Sequence, residues 1–207
     1  MGEKIAGITD EAVISATDAG WTHWIELLDD HEGTDIDHKE RVAVLADAGI
    51  NSGWWQQQLA VGYEQERGIR EIGETADAGY EIGVQRTFPV RSTSLWEFLI
   101  AESGIRTWLG DDHEGSLQPG ETYAVADGTT GEIRTRKDGE RIRLTYRPPE
   151  RDSATTLQLT VSSSDSSDEK SVLRIHQEKL ADSDEREKMR AHWKHVIARI
   201  ESELHVE

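Results

Sequence analysis

The C-terminal segment, residues 182–205, carries apolar residues at helical spacing and predicts one long amphipathic helix. Met189, Trp193, Val196 and Ile200 fall three or four positions apart, with charged residues between them. A helix of this length would span about 35 Å at about 1.5 Å per residue, and its acidic first turn suits the helix dipole. A single apolar face of that length requires a broad surface to pack against.

The segment before that helix predicts such a surface, because it consists mainly of strands. Residues 141–147 and 155–161 alternate apolar and polar positions, as strands with one buried face do. Asp138-Gly139, just ahead of them, is typical of a tight hairpin turn. The serine-rich residues 162–168 predict a polar turn, and residues 172–177 predict the last strand.

The same alternation predicts an opening strand at residues 80–90. A helix capped by Ser92 or Thr93 follows, and then a second short helix at residues 105–109. The order is therefore a strand, two short helices, an antiparallel meander and one long helix.

Residues 1–76 predict a small bundle of four short helices rather than strands. Asp37 and Glu40 have the spacing of a capping box, Thr22 is the predicted start of the second helix, and Ser52 is positioned to cap the fourth.

The polar segment 73–79, which glycines bound on both sides, predicts a domain boundary. We therefore expect a helical domain at residues 1–76 and an α+β domain at residues 77–207. Residues 1–78 contain 17 acidic and 5 basic side chains, a balance that argues against a DNA-reading helix-turn-helix.

The whole chain is strongly acidic, with 41 acidic and 23 basic residues and a net charge of −18. This charge argues against nucleic-acid backbones and anionic membranes as partners. The sequence has no cysteine, no apolar run long enough to cross a bilayer and no apolar leader at its start, so we expect a cytoplasmic protein. Because only 7 of the 23 basic residues are lysine, we favour a halophile's cytosol, with an ordinary acidic mesophilic protein as the alternative.

We expect the fold to require high salt, because the net charge of −18 repels itself unless ions screen it. Dialysis of the full chain from about 2 M to about 0.05 M KCl lengthens the Debye screening distance several-fold. Far-UV circular dichroism should show a reversible loss of structure over that range. A spectrum that does not respond to salt would identify an ordinary acidic protein.

Short motifs in the second half of the chain carry a resemblance to a known superfamily. They are Arg86-Thr87-Phe88-Pro89-Val90, Trp96, Trp108-Leu109-Gly110, Ile142-Arg143-Leu144, His176-Gln177-Glu178-Lys179-Leu180 and Trp193. With the order of elements, they resemble the helix-grip fold of the SRPBCC superfamily (START, Bet v 1-like), in its activator of heat-shock protein 90 ATPase-like branch. The resemblance implies an α+β fold in which a curved antiparallel sheet grips the long C-terminal helix.

Residues 1–76 resemble a small helical domain of unknown function that is often fused ahead of this branch. The matching segments are Gly20-Trp21-Thr22-His23-Trp24, His38-Lys39-Glu40, Ser52-Gly53-Trp54-Trp55 and Gly62-Tyr63-Glu64-Gln65-Glu66-Arg67-Gly68. This resemblance implies a fold for the segment but no activity.

The helix-grip fold would bring large apolar side chains from several elements around one cavity between sheet and helix. The candidate lining residues are Trp96, Trp108, Tyr123, Leu144, Tyr146, Leu159, Trp193 and Val196. A mostly apolar pocket of this kind is the usual small-molecule site, and the alternative is that these side chains only fill the core.

Three functions are compatible with these features. The first hypothesis is non-enzymatic binding of a hydrophobic or amphipathic small molecule in that cavity. The second is a cyclase- or hydrolase-type enzyme that uses His176 or His192 in the same cavity, or both of them as an acid–base pair. The third is a chaperone-linked adaptor that binds a protein partner or a second copy of the chain. Scattered histidines and the lack of nucleotide-binding glycine patterns predict no metal and no cofactor.

Overall fold

The computed structural model describes residues 4–75 and 79–204. The expected boundary between residues 76 and 77 lies outside these residues, as does His205. The chain divides into two compact units, Met1–Ile72 and Gly73–Glu207.

The N-terminal unit contains four helices within its described residues. They are α1 (Asp10–Thr17), α2 (Trp21–Asp30), α3 (His38–Asp47) and α4 (Gly53–Glu66). The predicted capping box is present, since the Asp37 carboxylate accepts the Glu40 N–H and the Glu40 carboxylate accepts the Asp37 N–H. The Ser52 hydroxyl likewise caps α4.

Two local details of this unit differ from the sequence-based expectation. Helix α2 begins at Trp21 instead of Thr22. The reason is that the Asp10 carboxylate, at the start of α1, accepts the Trp21 N–H at 2.7 Å and so caps the helix from outside it. A short hairpin, β1 (Lys4–Ile5) and β2 (Ile8–Thr9), precedes α1. Its turn was not predicted because Ala6 adopts φ 50°, a conformation that alanine rarely takes.

The C-terminal unit has the predicted α+β order of elements. They are β3 (Tyr80–Phe88), α5 (Ser92–Ile100), α6 (Glu102–Trp108), β4 (Thr122–Ala124), β5 (Thr130–Lys137), β6 (Arg141–Tyr146), β7 (Thr155–Ser164), β8 (Ser167–Leu180) and α7 (Ser183–Leu204). The six strands form one antiparallel sheet in the order β3-β8-β7-β6-β5-β4. The pairing register shifts in three of the strand pairs, an irregularity of the kind that bends a sheet.

The prediction of a serine-rich turn over residues 162–168 was wrong in extent. Ser162 and Ser163 continue β7 and pair with Val172 and Ser171 of β8, so the turn is confined to the residues just after Ser164. Serine has little preference for strands, and here the long antiparallel ladder overrides that weak local preference. The predicted cap of α5 was also wrong, since Arg91 is its N-cap and makes no side-chain capping bond.

Helix α7 lies on the concave sheet, against β3 and β8, and also packs on α6. Its buried residues are Trp193, Val196, Ile197 and Ile200, the apolar stripe that the sequence predicts. The helix-grip fold is therefore confirmed. Within the described residues, no helix combines the length and apolar character needed to cross a bilayer.

A relay of hydrogen bonds fixes α7 to the interior of the sheet. The Trp193 indole N–H donates to Gln177 Oε1 at 2.7 Å, and Gln177 Nε2 donates to Thr155 Oγ1 at 2.9 Å. The Thr155 hydroxyl in turn donates to the Tyr146 carbonyl at 2.8 Å. Each of these side chains has a hydrogen-bond partner, so the burial of the relay leaves none of them with an unsatisfied polar group.

Candidate functional site

An open groove of about 820 Å³ lies between one end of the sheet and the first half of α7. We call it the α7 groove. Its walls come from the turn before β5, from the loop that follows β6, and from α7 itself. Pro148, Pro149 and Met189 supply apolar surface, and Tyr146 of the sheet and His192 of α7 also line the groove. Most of the residues that line the groove are polar or charged, and its apolar surface is confined to the patch around the two prolines, Met189 and the Tyr146 ring.

Tyr146 connects the α7 groove to the buried core. It is the last residue of β6, and its ring packs edge-on against Trp193 with the centroids 5.9 Å apart. Beneath it, the Tyr123 hydroxyl donates to the Thr145 carbonyl at 2.8 Å. Gly131 permits this packing, because a Cβ there would lie 1.9 Å from the Thr145 carbonyl oxygen and 2.6 Å from the Tyr123 ring.

Thr129 lines the α7 groove, and its hydroxyl is buried beside it. The residue is only 1% exposed, and its Oγ1 has no hydrogen-bond partner within the described residues. Oγ1 lies near enough to Tyr146 to offset part of the rise in the pKa of that tyrosine, but the two hydroxyls do not reach hydrogen-bonding geometry. A buried polar group without a partner costs free energy, so a ligand group that reached it would recover that cost.

Asp127 supplies a negative charge close to these hydroxyls. Its Oδ1 accepts the Thr129 N–H at 2.7 Å, which closes a tight turn before β5. Burial, with a smaller contribution from the Asp127 charge, raises the pKa of Tyr146 to about 12. The Tyr146 phenol is therefore neutral at physiological pH.

His192 lies on α7 at the edge of the groove. Its ring stands edge-on to Trp193, with centroids 4.7 Å apart. Desolvation lowers the pKa of His192 and the neighbouring His195 lowers it further, while the Asp127 charge opposes them. The imidazole is therefore mainly neutral at pH 7, with one nitrogen free to accept a hydrogen bond.

His176 lies on the other face of the sheet, away from α7. Its neighbour Gln177 points inward to Trp193, and successive side chains of a strand point to opposite faces. The His176 ring instead lies 3.3 Å from Glu81 and 3.4 Å from Glu178 on the outer surface. The structure does not bring His176 and His192 together as a pair.

The eight predicted cavity residues are all buried in one hydrophobic cluster. The indole N–H groups of Trp108 and Trp193 and the Tyr123 hydroxyl are already bonded to Leu99, Gln177 and Thr145. Tyr146 is the one of the eight that lines the α7 groove. Contact between a ligand and the others stays a prediction.

Sequence reasoning missed Asp127, Thr129 and Pro149 as groove residues. The dipeptide Asp127-Gly128 is typical of a turn and indicates no more than that, and nothing in the sequence distinguishes the buried Thr129 from the exposed threonines of the chain. Met189 is part of the apolar stripe of α7, so its position on that helix was predictable. That it lines the groove was not, because the opposite wall is the loop after β6, whose course the sequence does not predict.

Comparison with known families and structures agrees with this architecture. The family model described as Activator of Hsp90 ATPase homolog 1-like protein matches residues 89–205, more than half of the 207 residues. No curated protein matches the chain.

Several solved structures share the fold of the C-terminal unit. CalU16 from Micromonospora echinospora is 14% identical with a TM-score of 0.54, and the match covers 63% of this chain and 78% of that one. An HSP90 activator from Plasmodium falciparum is 14% identical with a TM-score of 0.53, covering 61% and 96%. The Aha1 dimer from Colwellia psychrerythraea is 11% identical with a TM-score of 0.50, covering 58% and 92%. Identities this low show a common fold and no more.

Proposed function

Since the chain belongs to the Activator of Hsp90 ATPase homolog 1-like protein family, within the SRPBCC superfamily, we propose that it binds a hydrophobic or amphipathic small molecule without catalysing a reaction. The ligand is held between the sheet and α7, with its exposed end in the α7 groove. The observation that carries this proposal is the unpartnered, buried Thr129 hydroxyl at a groove that combines an apolar patch with charged side chains.

The size of the α7 groove supports a ligand-binding role. At about 820 Å³ it exceeds the lower limit of about 300 Å³ for small-molecule sites. A chaperone-linked adaptor is the second candidate, supported by the family description alone.

An enzyme that uses two histidines is the weaker candidate. A general acid and a general base must both reach the same substrate, within about 3 Å of the protons they transfer. His176 and His192 lie on opposite faces of the sheet, so one substrate cannot contact both.

Met189→Trp tests the groove by filling it. We expect the full chain to bind the uncharged amphiphile 2-(2-naphthyl)ethanol, and the variant to bind it at least about tenfold more weakly, which corresponds to about 1.4 kcal/mol. The reason is that the larger ring occupies the space between α7 and Pro149. Isothermal titration calorimetry measures the two affinities.

Met189→Leu is the matched control, because it changes the same position at nearly constant volume. Its affinity should stay within about twofold of the parent chain, a change too small to signal a lost contact. Equal binding by the parent and Met189→Trp would place the ligand elsewhere, and no binding by the parent chain would contradict the proposed function.

A further inference from the structure

The charges around the α7 groove are mainly negative. Six of its charged side chains are acidic and two are basic. The acidic ones are Asp127, Glu150, Asp152, Asp182, Asp184 and Glu185. Of the two cations, Arg151 is already paired with Glu185. This ratio of three to one exceeds that of the whole chain, 41 to 23, so the acidic composition alone does not account for it.

The end of the groove next to Tyr146 also carries negative charge. The charged side chains that act on the Tyr146 hydroxyl are Asp127 and Glu150, and both raise its pKa. A carboxylate head group placed beside that hydroxyl would meet the same repulsion, whereas a cationic head group would be attracted.

The polar groups at this end form a set of acceptors. Asp127 presents a carboxylate, and the hydroxyl oxygens of Thr129 and Tyr146 can each accept a hydrogen bond. The neutral His192 imidazole adds an acceptor nitrogen from α7. A primary ammonium group carries three N–H donors and no acceptor, so it matches such a set, and it would give the buried Thr129 hydroxyl its missing partner.

We propose that the α7 groove selects a cationic amphiphile, a protonated amine on an apolar body. The ammonium group binds at Asp127, Thr129 and Tyr146, and the apolar body lies along Met189, Pro148 and Pro149. This inference rests on the proposed function and specifies the chemical class of its ligand.

Three probes with the same naphthalene body separate the inference from the proposed function. They are 2-(2-naphthyl)ethylamine, 2-(2-naphthyl)ethanol and 2-naphthylacetate, which are cationic, neutral and anionic at pH 7. Calorimetric titration uses the full chain in a buffer where circular dichroism shows it to be folded. We expect the amine to bind about tenfold more tightly than the alcohol, and the carboxylate to bind most weakly of the three.

Asp127→Asn tests the role of the carboxylate without removing the turn. The asparagine side chain keeps an oxygen that can accept the Thr129 N–H, so the local fold is preserved. We expect this variant to lose about tenfold in affinity for the amine while its affinity for the alcohol stays within about twofold. Asp165→Asn, in the exposed turn between β7 and β8, changes the net charge equally and should leave both affinities unchanged.

The outcomes are distinguishable. If the alcohol or the carboxylate binds as tightly as the amine, or if Asp127→Asn and Asp165→Asn behave alike, the cationic preference is overturned and the proposed function stands. If none of the three probes binds, both are overturned.

Discussion

Replacement of Trp193 by alanine is expected to lower the free energy of unfolding of the C-terminal unit by about 3–5 kcal/mol. Trp193 is fully buried at the centre of the contact between α7 and the sheet, and its loss leaves a large cavity. It also leaves Gln177 Oε1 without its donor in the relay to Thr155. Urea unfolding followed by far-UV circular dichroism measures the change without relying on tryptophan fluorescence.

Trp54→Ala is the matched control for this substitution. Trp54 is 58% exposed on α4, so the same change there should cost less than about 1 kcal/mol. Trp193→Phe is expected to fall between the two, because it keeps most of the buried ring but removes the indole N–H. If Trp193→Ala cost no more than Trp54→Ala, α7 would not be held by the sheet in solution.

The second large effect is expected in the N-terminal unit, where Glu64→Leu should cost about 3–5 kcal/mol. Glu64 is 3% exposed and Arg41 is 4% exposed, and they form an ion pair at 2.9 Å. Arg70 bonds to the other carboxylate oxygen at 2.9 Å, and His38 lies 2.6 Å from the first. Removing the carboxylate leaves the Arg41 guanidinium buried without its counter-charge, which is the costly way to break a buried pair.

The double variant Glu64→Leu with Arg41→Met provides the control. Replacing both members of a buried ion pair by apolar residues is often nearly neutral, so the double variant should be more stable than Glu64→Leu alone. Thermal unfolding of the three proteins at one salt concentration measures this. A single variant that is as stable as the parent chain would show that this charge cluster does not hold α3 against α4.

The sequence predicted an element correctly where its capping hydrogen bonds are local or where its buried residues recur at a regular spacing. The capping box of Asp37 and Glu40 fixed the start of α3 because both of its hydrogen bonds are local. The alternation of Ile142, Leu144 and Tyr146 identified the buried face of β6 in the same way. The length of β8 could not be predicted, since its serine-rich start is held by pairing with β7 rather than by its own residues.

The candidate site was less predictable, because it depends on which distant residues meet. Successive side chains of a strand point to opposite faces, so His176 cannot share a face with the inward Leu173 and Ile175. It shares the polar face with Arg174 and Glu178. Strict use of that alternation would have excluded the histidine pair from the sequence alone. The unpartnered hydroxyl of Thr129 is different, because its lack of a partner follows from tertiary packing and has no sequence signal.

The most direct test of the ligand-binding account uses the methionine methyl groups. The chain has two methionines, Met1 and Met189, and Met189 lines the α7 groove. A full chain labelled with ¹³C at the methionine methyl carbons therefore gives one resonance from the groove, assigned with Met189→Leu, and one from the N-terminus as an internal reference. Titration with 2-(2-naphthyl)ethanol should shift the Met189 methyl resonance in a saturable manner and give contacts from that methyl to the naphthalene ring. An unchanged Met189 resonance at probe concentrations that saturate binding would contradict the account.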